Sequence, residues 1–210
     1  MIGLATKKDF ALVSIVGTVF GLFLIPILEN IKPPQWELNI FTASTLIIGF
    51  FLFANFALAI GGMIGKKFPA FWQFTKFGAS GALNAALDIG LLNLLSLIFQ
   101  IFSGPLLAIF NAISLFVAFN NSYLWNKLWV FKLDGKIDFK EYIKFAGATG
   151  VGMVIGSLIV YLITTFVTPP AGISPQIWEN IAKGISLPLV VFSNFTLYKF
   201  VVFKRPPLNF

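Results

Sequence analysis

The sequence predicts an all-α integral membrane protein with six transmembrane helices, of which the last four form two parallel two-helix repeats. Three observations predict it. Of 210 residues, 58% are hydrophobic and 11% charged, and with a mean hydropathy of +0.89 there are too few polar groups to coat a water-soluble globule. The apolar residues fall in long runs without charge, as spanning helices require. Cations, finally, gather at alternate ends of those runs.

Taken in order, the runs lie at about 10–28, 39–64, 74–99, 105–131, 142–168 and 177–203. Each is long enough to cross roughly 30 Å of hydrocarbon at about 1.5 Å per helical residue. The first ends at Pro26, Glu29 and Asn30 without a small-residue cleavage pattern, so it reads as a retained helix and not as a signal peptide. The first two runs make an N-terminal hairpin over residues 1–67, and the other four a domain over 68–210. Glycine pairs four residues apart, Gly17 with Gly21, Gly61 with Gly65 and Gly152 with Gly156, suggest faces where backbones approach closely. Pro188, inside the last run, removes one backbone hydrogen bond and permits a kink. The connection "KLDGKIDFKE" at 132–141 reads as a turn at Asp134 and Gly135 leading into a helix start. No connection is long enough to hold the folded sheet domain that a nucleotide-sugar transferase needs.

Orientation follows from the cations. Lys7 and Lys8, then Lys66, Lys67 and Lys76, then Lys127, Lys132, Lys136, Lys140 and Lys144, then Lys199, Lys204 and Arg205 fall on one side, leaving Lys32 opposite and Lys183 within the last run. Cytoplasmic loops retain Lys and Arg, so a multi-pass protein of the cytoplasmic membrane with both termini cytoplasmic is expected. The net charge of +7 points to anionic lipid head groups and not to nucleic acid, because the lysines flank apolar runs. Cysteine and histidine are both absent, which removes disulfides, thiolate nucleophiles, the usual zinc ligands and the commonest general base. No catalytic set, metal site or cofactor is expected, and the chain does not read as an enzyme.

"FTKFGASG" at 74–81 is echoed by "YIKFAGATG" at 142–150. Each is followed by a helix, a short uncharged hairpin, a second helix and a closing motif, "NNSYLWNKLWVFK" at 120–132 or "FSNFTLYKFVVFK" at 192–204. Lys127 matches Lys199 and Phe131 matches Phe203. Both units begin and finish on the cytoplasmic side, so the repeat is parallel and not inverted. Read singly, Trp125, Trp129 and Tyr198 are interface anchors and the lysines snorkel to lipid phosphate; common ancestry of the two halves better explains the shared spacing.

In order and spacing, "FWQFTKFGASG", "LNAALD", "NNSYLWNKLWVF", "YIKFAGATGVG" and "IAKGISLPLVVFSNFTLYKFVVF" together resemble the GtrA-like family of four-helix membrane proteins over residues 71–204. Ser122 and Tyr198 depart from the asparagines usual in the closing motifs. The resemblance implies handling of polyprenyl-phosphate-linked sugars at the cytoplasmic membrane, and an association with polyprenyl-phosphate glycosyltransferases. The first 67 residues lie outside it.

Intramembrane charge is costly, about 2.5 to 3.5 kcal/mol on insertion scales, so each such residue is a candidate with a partner to be named. Asp88 lies about 18 Å along its helix from Lys76, and Lys183 about 24 Å along its helix from Lys199, at about 1.5 Å per residue. Their matched depth pairs them. Lys76, Ser80, Asn84 and Asp88 recur every fourth residue and so share one helix face, a polar stripe. Phosphate recognition is assigned to Lys76, Lys127 and Lys199 at the cytoplasmic rim, where point charges meet an anion. Sugar passage is assigned to Ser80, Asn84, Asp88, Asn121, Asn194 and Lys183. The competing account of Ser80 and Asn84 is helix-to-helix hydrogen bonding, and Asn93 and Asn111 read as packing contacts.

Three functions fit these residues. The first is translocation of a polyprenyl-phosphate-linked sugar for cell-surface glycan synthesis, the second a non-transporting anchor for a glycosyltransferase, the third a proton-coupled exporter working through Asp88. The expected partners are the sugar lipid, anionic lipids and, for the second reading, the glycosyltransferase; a homo-oligomer is left open. No G-x-x-x-x-G-K-S/T loop occurs, so a driving force would come from elsewhere.

Overall fold

A computed structural model describes residues 3–102, 104–133, 136–172 and 175–203. Six long helices account for most of them: α1 (Lys7–Ile31), α2 (Ile40–Gly65), α3 (Pro69–Phe99), α4 (Gly104–Trp125), α5 (Phe139–Phe166) and α6 (Pro175–Leu197). Two short π-helical segments follow, Asn126–Val130 continuing α4 and Tyr198–Val202 continuing α6. Each expected run coincides with a helix. Among the described residues, five segments are long and apolar enough to cross a membrane: Lys7–Ile31, Ile40–Gly65, Pro69–Phe99, Pro105–Val130 and Ile185–Val202.

Local chemistry sets the helix ends. α1 starts in a capping box in which the Thr6 side chain accepts from the Asp9 backbone N–H, and the Asp9 side chain accepts from the Thr6 backbone N–H. Asn39 and Thr42 repeat this device at α2, and Asp138 caps α5 by accepting from the Lys140 N–H at 2.9 Å. α3 begins at Pro69, ahead of the expected residue 74. A proline at the first helical position loses no hydrogen bond, since that N–H would be unpaired anyway. The helix ends at Gln100, in the left-handed region at φ 55°, whose N–H closes onto Ser96 O. The turn expected at Asp134 and Gly135 lies outside the described residues.

The chain divides into two compact units, Met1–Lys132 and Leu133–Phe210. The first unit packs α1, α2 and α3 on one another and α4 on α3. With α1, α2 and α3 immersed in hydrocarbon, burial of apolar surface supplies little force between them, and close packing and polar contacts take over. The glycines serve that packing. A Cβ at Gly17 would lie 2.4 Å from Phe50 O, one at Gly21 2.7 Å from the Ile47 Cα, one at Gly61 2.3 Å from the Thr75 Cγ2, and one at Gly65 2.7 Å from the Trp72 Cβ. Ser14 and Asn55 exchange hydrogen bonds between α1 and α2, and Asn30 donates to Asn93 between α1 and α3 at 2.6 Å. The three helices border an apolar cavity of about 310 Å³, lined among others by Val13, Phe20, Phe50, Leu58 and Ala79.

In the second unit α5 packs on α6 and on the π-helical segment that follows it. Gly152 and Gly156 admit Asn194 and Val190, with a Cβ at Gly152 placed 2.1 Å from Asn194 Oδ1 and one at Gly156 2.9 Å from Val190 Cγ2. All six glycines of the three spaced pairs are thus close-approach points within a unit.

Candidate functional site

Lys76 sits at the eighth position of α3 and is only 1% exposed. Its ammonium donates to Trp129 O at 3.0 Å, lies 4.0 Å from Asp9 Oδ1, and stands 5.2 Å and 5.8 Å from the ring centroids of Trp72 and Trp129. The Asp9 carboxylate is equally engaged. Oδ1 accepts from Trp129 Nε1 at 2.9 Å, while Oδ2 accepts from Thr6 N at 3.0 Å and Thr6 Oγ1 at 2.6 Å. The sequence explains each position: a T-x-x-D box anchors the carboxylate at the start of α1, and the π-helical segment leaves the Trp129 carbonyl at a helix end without an intrahelical donor. A cation at a helix C-terminus is favourable, and the anion beside it balances its charge. Lys76 therefore stands inside the protein as the bonded member of a three-residue cluster. Trp129, 5% exposed, is likewise an interior hydrogen-bond donor and not a lipid-facing anchor.

The polar stripe of α3 faces α4. Asn121 donates to Asn84 at 2.6 Å, and Ser114 donates to Asp88 Oδ1 at 3.0 Å as well as to Asn111 O at 3.0 Å. From the N-terminal end of α3, Lys76 with the Trp129 carbonyl, Asn84 with Asn121 and Asp88 with Ser114 form successive rungs between two helices. Between the first two rungs Ser80 Oγ is buried without a protein hydrogen-bond partner, as is Asn126 Oδ1, although Asn126 Nδ2 donates to Ser122 O at 2.8 Å. Lys127, 3% exposed, donates to the Tyr123 hydroxyl at 3.3 Å. The side chain of Lys183 lies outside the described residues, so the described partner of Asp88 is Ser114.

In the second unit Tyr198, 3% exposed, shares a 2.7 Å hydrogen bond with the Thr149 hydroxyl and stacks 4.5 Å from Phe145. Lys199 is half-buried, its ammonium 5.6 Å and 5.4 Å from the rings of Phe195 and Phe200. Asn194 Oδ1 is buried without a hydrogen-bond partner. The two π-helical segments close alike: Phe131 N donates to Asn126 O at 2.9 Å and Phe203 N to Tyr198 O at 2.8 Å, and each carries its lysine, Lys127 or Lys199, in second place.

Asp9 is the residue that sequence reasoning missed. Its T-x-x-D spacing was a visible signal of a helix start, but its partners lie 67 and 120 residues downstream, and no periodicity connects them. Among curated proteins and solved structures, none matches the chain. The family model described as GtrA/DPMS, transmembrane domain, matches residues 76–203. That interval opens on buried Lys76, spans both lysine-bearing π-helical segments and covers more than half of the sequence. The chain is a membrane protein belonging to the GtrA/DPMS transmembrane-domain family.

Proposed function

We infer that the protein carries a polyprenyl-phosphate-linked sugar across the cytoplasmic membrane for surface glycan synthesis. The observation that supports this reading is the match to the GtrA/DPMS transmembrane-domain family over residues 76–203, a family whose resemblance implies handling of polyprenyl-linked sugars. In this reading six helices span the bilayer, α5 included, since Phe145 to Leu162 contains no charged residue. Both termini are cytoplasmic, and α3–α4 and α5–α6 form the two parallel repeats. The hairpin 1–67 is an addition to the four-helix domain 68–210. Its alternate cations and the two alike π-helical closures support this arrangement.

Of the three lysines assigned to phosphate, Lys199 has the exposure to meet an anion, whereas the internal bonds of Lys76 and Lys127 favour positioning roles. Asn84, Asn121 and Asp88 support packing between α3 and α4. Ser80 in the first unit and Asn194 in the second, each with a buried oxygen unpartnered by protein, are better placed to exchange hydrogen bonds with sugar hydroxyls, and Lys183 keeps its assignment to the sugar. The internal pairing across α3 and α4 also favours a second reading, a non-transporting anchor for a glycosyltransferase, because a rigid paired interface needs no aqueous passage. Reconstitution separates the two. Liposomes containing the purified protein and a labelled polyprenyl-phosphate hexose should expose the sugar to an external enzyme faster than protein-free liposomes; equal rates would leave only the anchor.

A further inference from the structure

The first unit shows how the entry motif of the first repeat, "FTKFGASG" at 74–81, neutralises its lysine. The anion is internal: Asp9, contributed by α1, which precedes the repeat. The corresponding lysine of the second motif, "YIKFAGATG" at 142–150, is Lys144. It is exposed, and among the described residues it has neither a hydrogen bond nor an ion pair. The carboxylates nearest in sequence are otherwise engaged, Asp138 as the α5 cap and Glu141 with a contact of its own. Lys144 directly precedes Phe145 and Lys199 directly follows Tyr198, and the rings of Phe145 and Tyr198 stack at 4.5 Å, so the two ammonium-bearing residues belong to one end of the α5–α6 pair. Lys199 rests over two aromatic rings, a contact that leaves ammonium N–H donors for an acceptor. Lys140, exposed one turn before Lys144, adds to the same basic end.

We propose that Lys144 and Lys199 together bind the phosphate of the lipid-linked sugar, an external anion that takes at the second repeat the place the Asp9 carboxylate holds at the first. This rests on the proposed function and deepens it. The two repeats then differ in kind: the first is closed by a carboxylate from α1 and supplies a fixed scaffold, and the second is left for the substrate. Two like charges at one helix-pair end repel, and one phosphate between them replaces that repulsion with charge-assisted hydrogen bonds.

The test is equilibrium binding of a fluorescent polyprenyl-phosphate hexose to the full-length protein in nanodiscs, with the unphosphorylated polyprenol and phosphatidylglycerol as comparison probes. Lys144→Met and Lys199→Met should each weaken binding of the phosphate probe about ten-fold, as loss of one hydrogen bond to a charged group implies. Lys144→Arg should retain it, and Lys66→Met, which removes an exposed cation elsewhere, should leave it unchanged. Polyprenol affinity should not move in any variant. Wild-type affinity in both methionine variants, with the probe bound by the parent, overturns this site and leaves the transport reading standing. An equal loss of phosphatidylglycerol binding overturns it in favour of a general lipid-phosphate contact, and a parent protein that binds no probe overturns site and function together.

Discussion

A lysine with 1% of its surface exposed and a carboxylate 4.0 Å away make a pair whose members depend on each other more than the fold depends on the pair. Removing one partner of a buried ion pair costs about 3 to 5 kcal/mol, whereas an apolar replacement of both can be neutral. Lys76→Met and Asp9→Asn should therefore each lower the thermal unfolding midpoint in detergent, and the double variant should recover part of the loss; additive losses in the double-mutant cycle would show that the two side chains act separately. A milder outcome belongs to Asn84 and Asn121, whose bond joins two helices in lipid. Asn84→Leu with Asn121→Leu should cost on the order of 0.6 kcal/mol, the average for such contacts, while translocation persists; abolished transport in a stable double variant would return both residues to the sugar path. Lys76 and the stripe Ser80, Asn84 and Asp88 were legible as one helix face, because spacing by four is a property of the sequence itself. What the face meets was not, since Asp9, Ser114 and Trp129 are fixed by packing between distant segments.

At the level of helices, glycine spacing was the most informative local signal, since each spaced glycine has a neighbour where its Cβ would be. Gly61→Val would drive a side chain into Thr75, 2.3 Å from the position of the Cβ, and should cost about 1 to 3 kcal/mol through overpacking. Gly78→Ala, where a Cβ meets nothing within 4 Å, should be neutral or raise stability by up to about 1 kcal/mol through helix propensity. Thermal unfolding of both variants checks the contrast, and equal destabilisation would discount the close-packing account of Gly61. The helices were readable because apolar runs of membrane length with so few charges have few other uses. The π-helical segments were not, although the repeated closing motif marked where they would fall. One extra residue per turn in Asn126–Val130 or Tyr198–Val202 leaves no trace in hydropathy; it is paid for by tertiary contacts such as the bond from Lys76 to Trp129 O.

For the whole chain, the distribution of cations makes a prediction about sidedness. Single cysteines at Glu37 and Gln100, both exposed, should react with an impermeant maleimide added outside cells, and one at Lys136 only after the membrane is opened; the reverse pattern would invert the topology. The family match begins at residue 76, so the hairpin before it would pass for an appendage if the match were taken as the boundary of the working protein. Asp9 says otherwise, and its position has a consequence in time. Trp129 follows Lys76 by 53 residues, which at roughly 5 to 20 residues per second of synthesis is about 3 to 10 s. During that interval the nascent chain already contains both Asp9 and Lys76, so α3 can enter the bilayer with its lysine neutralised before α4 exists. A chain that starts after the hairpin must insert the same helix with a bare ammonium. On that timing the hairpin would serve as an escort for a later helix during biogenesis, its carboxylate acting before the domain it serves has been completed.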